Sequence, residues 1–139
     1  MAAGFKAPVQ TRIRNEIWLK LLGNATLNPV SALTRATLAE MFASPSSREL
    51  IRTLMKEVAA VARSLGIELP VSIDKRMEGA AAGGAHKTSM LQDLEAGKPL
   101  EIDALLGAVI ELAAGEGVEV PSLRTLYVLT KLLDAGSRG

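Results

Sequence analysis

Apolar residues recur along most of this chain at steps of three and four, the spacing of one helix face. Ile13, Ile17 and Leu21 form the first such stripe. Asn28-Pro29 interrupts it. Asn suits an N-cap and Pro the first helical position, so a second helix is predicted to start there. Thr37 followed by Glu40 fits a capping box for a short third helix. Ser44-Pro45 is the next start signal. From it Leu50, Ile51, Leu54, Met55, Val58, Val61, Ala62 and Leu65 trace the longest helix, with Gly66 placed for a left-handed cap. Beyond Pro70 a weaker helix over 71–82 runs into the small-residue stretch 80–85, read as a loop. Thr88 or Ser89 caps a helix towards Glu95, closed by Gly97-Lys98-Pro99. Ile102, Leu105, Leu106, Val109, Ile110 and Leu112 mark a helix over 101–114, ended by Gly115 and Gly117. Pro121-Ser122 opens the last helix, which carries Leu123, Leu126, Leu129, Leu132 and Leu133, and the tail from Gly136 is expected to fray. Val118-Glu119-Val120 alternates too briefly to count as a strand. The pattern predicts an all-α, compact multi-helix domain with short connections.

Composition narrows what such a domain does. The 139 residues suit one domain, and 48% of them are hydrophobic, enough for a substantial core. Only 3% are aromatic, so Leu, Ile, Val, Ala and Met must fill it. A net charge of +1 with 22% charged residues argues against nucleic-acid binding, which shows as a basic patch. With no cysteine and a single histidine, His86, neither a disulfide framework nor a thiolate or histidine metal site is expected. No apolar run approaches the roughly 18 residues of a membrane span, and the first residues lack a signal-peptide layout. A soluble cytoplasmic protein is the expectation.

Three groups of residues are candidates for chemistry. Lys20, Asn24 and Asn28 lie at steps of four, which on one continuous helix would stack them along a side. Such a row is either a solvated stripe or a set of donors facing a cleft, with a lysine able to give a proton and two amides able to orient a polar ligand. Asn28 has the competing job of capping the helix before Pro29. Lys87-Thr88-Ser89-Met90-Leu91-Gln92-Asp93 places hydroxyls before an apolar run, as a helix cap or a carboxylate site. Glu101-Ile102-Asp103 places acids in a first helical turn, where they complement the helix dipole. His86 and Lys98 read as surface residues. No G-x-G-x-x-G follows a strand, so the chain has no visible dinucleotide site of its own.

Taken together, in order and spacing, these segments resemble the ketopantoate reductase (2-dehydropantoate 2-reductase) family. Glu16 to Pro29 is similar to the family's W-x-K-L-x-x-N-x-x-x-N-P helix, His86 to Gly97 to its S-M-L-Q-D block, and Glu101 to Leu105 to its E-I-D segment. The resemblance spans about Gly4 to Asp134. It implies an all-helical C-terminal domain of the type shared with 6-phosphogluconate dehydrogenases, following a Rossmann domain that binds NADPH, with a small 2-oxo acid such as ketopantoate in the cleft between them. It implies that Lys20 is the catalytic lysine, hydrogen-bonding the ketone oxygen and protonating it as hydride arrives. Asn24 and Asn28 would position the substrate, Ser89 would bind it, and Glu101 would orient hydroxyls and support the lysine. Asp93 would be structural, fixing the turn of the S-M-L-Q-D block.

Two departures qualify the resemblance. Leu106-Gly107 stands where the family often has Asn-Gly. The N-terminal half is absent, so residues 1–8 read as the remnant of an interdomain linker, 9–135 as the helical domain and 136–139 as a tail. The cofactor-binding residues would lie in the absent half, and this chain alone is expected to bind no NADPH and to be inactive. The alternative is a natural stand-alone helical module for dimerisation or for binding a small acid. Its apolar surface would then need a partner. Oligomeric state is open, and the helical faces allow a homodimer.

Overall fold

Start and stop signals set most of the helices. In the computed structural model of the chain, the backbone is described for residues 2–138 and side chains for residues 12–137. The order is α1 (Ala2–Asn24), α2 (Leu27–Thr34), α3 (Leu38–Met41), α4 (Pro45–Ser64), α5 (Ile73–Ala81), α6 (Ser89–Glu95), a π segment (Asp103–Gly107), α7 (Ala108–Glu116) and α8 (Pro121–Arg138). The architecture is all-helical, as predicted, with no strand among the described residues. No described helix is long and apolar enough to cross a membrane. Of the segment read as a linker, residues 2–8 are the start of α1, and its side chains lie outside the described residues. At the other end α8 continues to Arg138, through the expected tail.

Apart from the cap expected at Asn28, the caps are where the sequence puts them. Thr37 and Glu40 exchange hydrogen bonds in a capping box, Glu40 N–H to Thr37 Oγ1 at 3.2 Å and Thr37 N–H to Glu40 Oε1 at 2.9 Å. Ser44 Oγ accepts from Ser47 N–H at 3.1 Å at the head of α4. Gly66 and Gly117 take φ of +77° and +69° past α4 and α7, a region costly for any side chain.

Three stripes differ from expectation. On α1 the core takes Trp18, Leu22 and, just past the helix, Ala25, while Ile13 and Ile17 stay about half exposed. Two overlapping apolar stripes satisfy the same period here, and the one carrying the large indole is buried. On α8 the buried face is Leu123, Leu126, Thr130 and Asp134, while Leu129 and Leu132 are exposed. The two polar members are satisfied: Thr130 Oγ1 donates to Leu126 O at 2.6 Å, and Asp134 Oδ1 accepts from Leu100 N–H at 3.2 Å. The helix over 101–114 begins as a π segment, in which Gly107 N–H reaches back five residues to Ile102 O at 2.9 Å. Leu106, which stands where the resemblance led to a polar residue being expected often, is fully buried and belongs to the core.

The core has two parts. The larger joins α1, α4, the π segment, α7 and α8 through Trp18, Leu22, Ile51, Met55, Val58, Leu106, Val109 and Leu123. The smaller packs Ala32 of α2 against Met90, Leu91 and Leu94 of α6, with Leu100 and Ile102. Tyr127 packs against both. Glu57 on α4 adds a polar join. Its carboxylate accepts from Leu123 N–H at 2.9 Å and Ser122 N–H at 3.2 Å, satisfying the first free donors of α8. Glu57→Ala is expected to lower the unfolding free energy by about 1–2 kcal/mol, with Glu57→Gln in between. Urea denaturation checks this, and an unchanged midpoint in Glu57→Ala would refute the capping role.

Candidate functional site

The chain turns between α1 and α2 without a glycine or a side-chain N-cap. Thr26 occupies the corner, fully buried, with its hydroxyl donating to Leu22 O within α1's last turn. α2 starts at Leu27, with Thr26 in the N-cap position making no side-chain cap bond. Asn28 is therefore inside α2 and is not its cap, and Lys20, Asn24 and Asn28 do not stack on one continuous helix. The corner at Ala25-Thr26 separates Asn24 from Asn28. Freed from capping, the largely buried Asn28 points its amide at Ser89, with Nδ2 3.5 Å from Ser89 Oγ.

Ser89 is held there by the residue before it. Thr88 caps α6, its Oγ1 accepting from Leu91 N–H at 3.2 Å. The same hydroxyl meets Ser31 Oγ of α2 in a buried contact, and Ser31 Oγ donates to Asn28 O at 2.8 Å. The hydroxyl block thus serves as a cap at Thr88 and as a pocket wall at Ser89. Asp93, expected to fix this turn, contributes only its main-chain carbonyl, which accepts from Lys98 N–H at 2.9 Å. The turn is fixed instead by Gln92 Nε2 donating to Lys87 O at 3.0 Å and by the Lys87–Glu95 ion pair at 2.9 Å.

Asn24, Asn28 and Ser89 line one pocket of about 210 Å³, at the end of α1, the start of α2 and the start of α6. Its wall also includes Arg76 of α5 and His86 and Lys87 of the loop before α6. No carboxylate lines it. Lys20 is exposed one turn before Asn24 and is not part of the lining. Glu101 is exposed just ahead of the π segment, which packs on α1. Neither makes a hydrogen bond or ion pair with a described residue. The structure therefore brings together three of the five expected site residues and leaves Lys20 and Glu101 on the surface outside the pocket lining. Larger hollows elsewhere, such as one of about 560 Å³ between α4 and the segment before α5, hold none of the five.

Arg76 escapes the sequence reading. The signal that could have found it is the basic pair Lys75-Arg76 in the weak helix over 71–82. What gives Arg76 its place is Gly23, 53 positions away. The guanidinium lies where a Cβ at Gly23 would be, so a side chain there would displace it. α5 is tied to α4 by the Arg52–Asp74 ion pair. Burial lowers the Arg76 pKa from its ordinary value.

The family comparison decides what the arrangement belongs to. A family model described as the ketopantoate reductase PanE/ApbA C terminal matches residues 12–134. The chain belongs to the ketopantoate reductase family. A 2-dehydropantoate 2-reductase of Mesorhizobium japonicum is 49% identical over 131 residues, covering 94% of this chain and 40% of that protein. The crystal structure of a 2-dehydropantoate 2-reductase from Methylococcus capsulatus superposes with a TM-score of 0.83 at 31% identity, covering 90% of this chain and 44% of that one. A dimeric ketopantoate reductase from Staphylococcus aureus gives a TM-score of 0.75 at 30% identity, again with 90% and 44% coverage. The chain spans about two fifths of the length of these reductases, and its helical fold is that of their C-terminal domain.

The E-I-D segment of this ketopantoate reductase domain also carries a polar cluster. Asp103 Oδ2 accepts from Lys131 Nζ at 2.8 Å and Asp103 Oδ1 from Tyr127 Oη at 2.5 Å, which ties the π segment to α8. These donors hold the Asp103 carboxyl below its ordinary range, Lys131 first and Tyr127 second, and the same bonds raise the pKa of Lys131 and Tyr127. A carboxyl depressed in the folded state adds stability above its unfolded pKa, and loses it as pH falls through the folded value. Asp103→Asn is expected to lower Tm at pH 7, with the deficit against the unmodified chain shrinking as pH drops from about 5 to below 3. Thermal unfolding across that range checks the sign, and a pH-independent deficit would rule out charge as the source.

Proposed function

We propose that this chain is the substrate-binding and catalytic domain of an NADPH-dependent 2-dehydropantoate 2-reductase, reducing a small 2-oxo acid of the ketopantoate type. The observation that carries the reading is the pocket. Asn24 and Asn28 come from one stretch of sequence and Ser89 from another about 60 positions on, and they line one cavity with no acidic group in its wall. A pocket of about 210 Å³ suits a small acid better than a drug-sized or nucleotide ligand, whose sites run to about 300–1,000 Å³.

The residues here do not fit the nucleotide. The described residues hold no strand and so no strand-to-helix phosphate turn, and the hydride donor would be held by a further domain of a longer protein. This chain's own part is the other half of the reaction. Asn24, Asn28 and Ser89 orient the acid through their amides and hydroxyl. Lys20, one turn up α1 and free of any ion pair with the described residues, donates a proton to the ketone oxygen, where negative charge builds. Glu101, from the segment beside α1, orients a substrate hydroxyl and the lysine. A homodimer, as in the Staphylococcus aureus reductase, is part of the proposal.

A chimera tests it. This chain replaces the matching part of the Mesorhizobium japonicum protein, and NADPH oxidation is followed with 2-dehydropantoate. The expected result is substrate-dependent turnover. Lys20→Ala then lowers kcat at least about a hundredfold, and Ser89→Ala mainly raises KM. A chimera whose Lys20→Ala form runs at full rate would overturn the role given to the lysine, and an unchanged KM in Ser89→Ala would overturn the one given to the serine.

A further inference from the structure

We infer that Arg76 is a substrate-binding residue of this pocket, pairing its guanidinium with the carboxylate of the bound acid. The inference rests on the pocket reading above and adds the group that neutralises the ligand's charge. Four observations carry it. Arg76 lines the same pocket as Asn24, Asn28 and Ser89. It makes no hydrogen bond or ion pair with any described residue, although it is only partly exposed. The lining contains no carboxylate that it could pair with in the absence of ligand. The lysine of the wall, Lys87, is already bound to both oxygens of Glu95 at 3.1 and 2.9 Å.

A partly buried guanidinium without a partner has given up part of its hydration with nothing in return, and an anion entering the pocket restores the balance. The planar fork of arginine matches a carboxylate with two parallel N–H···O bonds, which fixes orientation as well as charge. Gly23 and Asp74 make this placement available. The glycine lets the guanidinium lie against the end of α1, and Asp74 anchors α5 to Arg52 of α4 rather than consuming Arg76. With the carboxylate on Arg76, the asparagines and Ser89 are left to the oxo or hydroxyl groups of the same small acid.

The test uses this 14.6 kDa chain labelled with ¹⁵N and titrated with sodium pantoate or with its neutral amide, pantoamide. The amide signals of Asn24, Asn28 and Ser89 and the Arg76 side-chain Nε–H are followed. Pantoate is expected to shift all four and to bind at least about tenfold more tightly than pantoamide, the scale of one charged hydrogen-bonded contact. Arg76→Gln should weaken pantoate by about tenfold or more and leave pantoamide unchanged, and Arg76→Lys should recover part of the loss. A dispersed spectrum shows that each variant is folded. Should Arg76→Gln fail to fold, the pantoate-over-pantoamide preference of the unmodified chain, with or without a shift at Arg76 Nε–H, decides the question. Shifts at Asn24, Asn28 and Ser89 that persist at full affinity in Arg76→Gln would overturn the role of Arg76 and leave the pocket standing. No pantoate-dependent shift at any of the four would overturn both.

Discussion

The contact between Ser31 and Thr88, two buried hydroxyls on α2 and in front of α6, is the point on which the site's geometry depends. Hydroxyls taken out of water must find partners, and these find each other, the carbonyl of Asn28 and the N–H of Leu91. The result is a fixed register between two short helices that local propensity would not hold in place alone. From that register follow the approach of Asn28 to Ser89 and the location of the pocket. The apolar contacts of Ala32 with Met90, Leu91 and Leu94 close the same joint from the dry side.

The sequence was most legible where chemistry is local. The capping box at Thr37 and Glu40, the Ser44-Pro45 start, the cap at Thr88 and the glycines after α4 and α7 depend on residues a few positions apart, and the structure has them as read. It was least legible where burial chooses between equivalent patterns. Ile13 and Ile17 share the helical period of Trp18 and Leu22, and only the packing of α1 on α4 separates them. Thr130 and Asp134 look like the polar side of α8 until Leu100 and the helix's own carbonyls are seen to satisfy them. At the site the residue types were legible and part of the reason was not. Asn28 looked like a cap because Pro29 follows it, yet the corner at Thr26 starts the helix two residues earlier and turns the amide inward. Arg76 showed only as half of the basic pair Lys75-Arg76, because its place in the pocket depends on a glycine in a different helix.

The distribution of charge over the domain follows from its near-neutral composition. Arg52 is matched by Asp74, Lys87 by Glu95 and Lys131 by Asp103, and these pairs lie around the outside of the helices. Exposed pairs of this kind contribute little to stability. Most of the other described cations are in no such pair, and two of those sit at or near the same end of α1: Arg76 in the pocket wall and Lys20 one turn above it. A domain with a net charge of only +1 can in this way present a local positive field to a small anion.

Trp18 belongs to the core, 6% exposed, on the helix that carries Lys20 and Asn24. It is also the only tryptophan in the chain. Intrinsic fluorescence of this protein is therefore the signal of one indole, in dry surroundings, two residues from the proposed proton donor and one turn and a half from the pocket. The dye that biochemists usually have to attach is built into the helix, and any shift of α1 against α4 would be read in its emission colour.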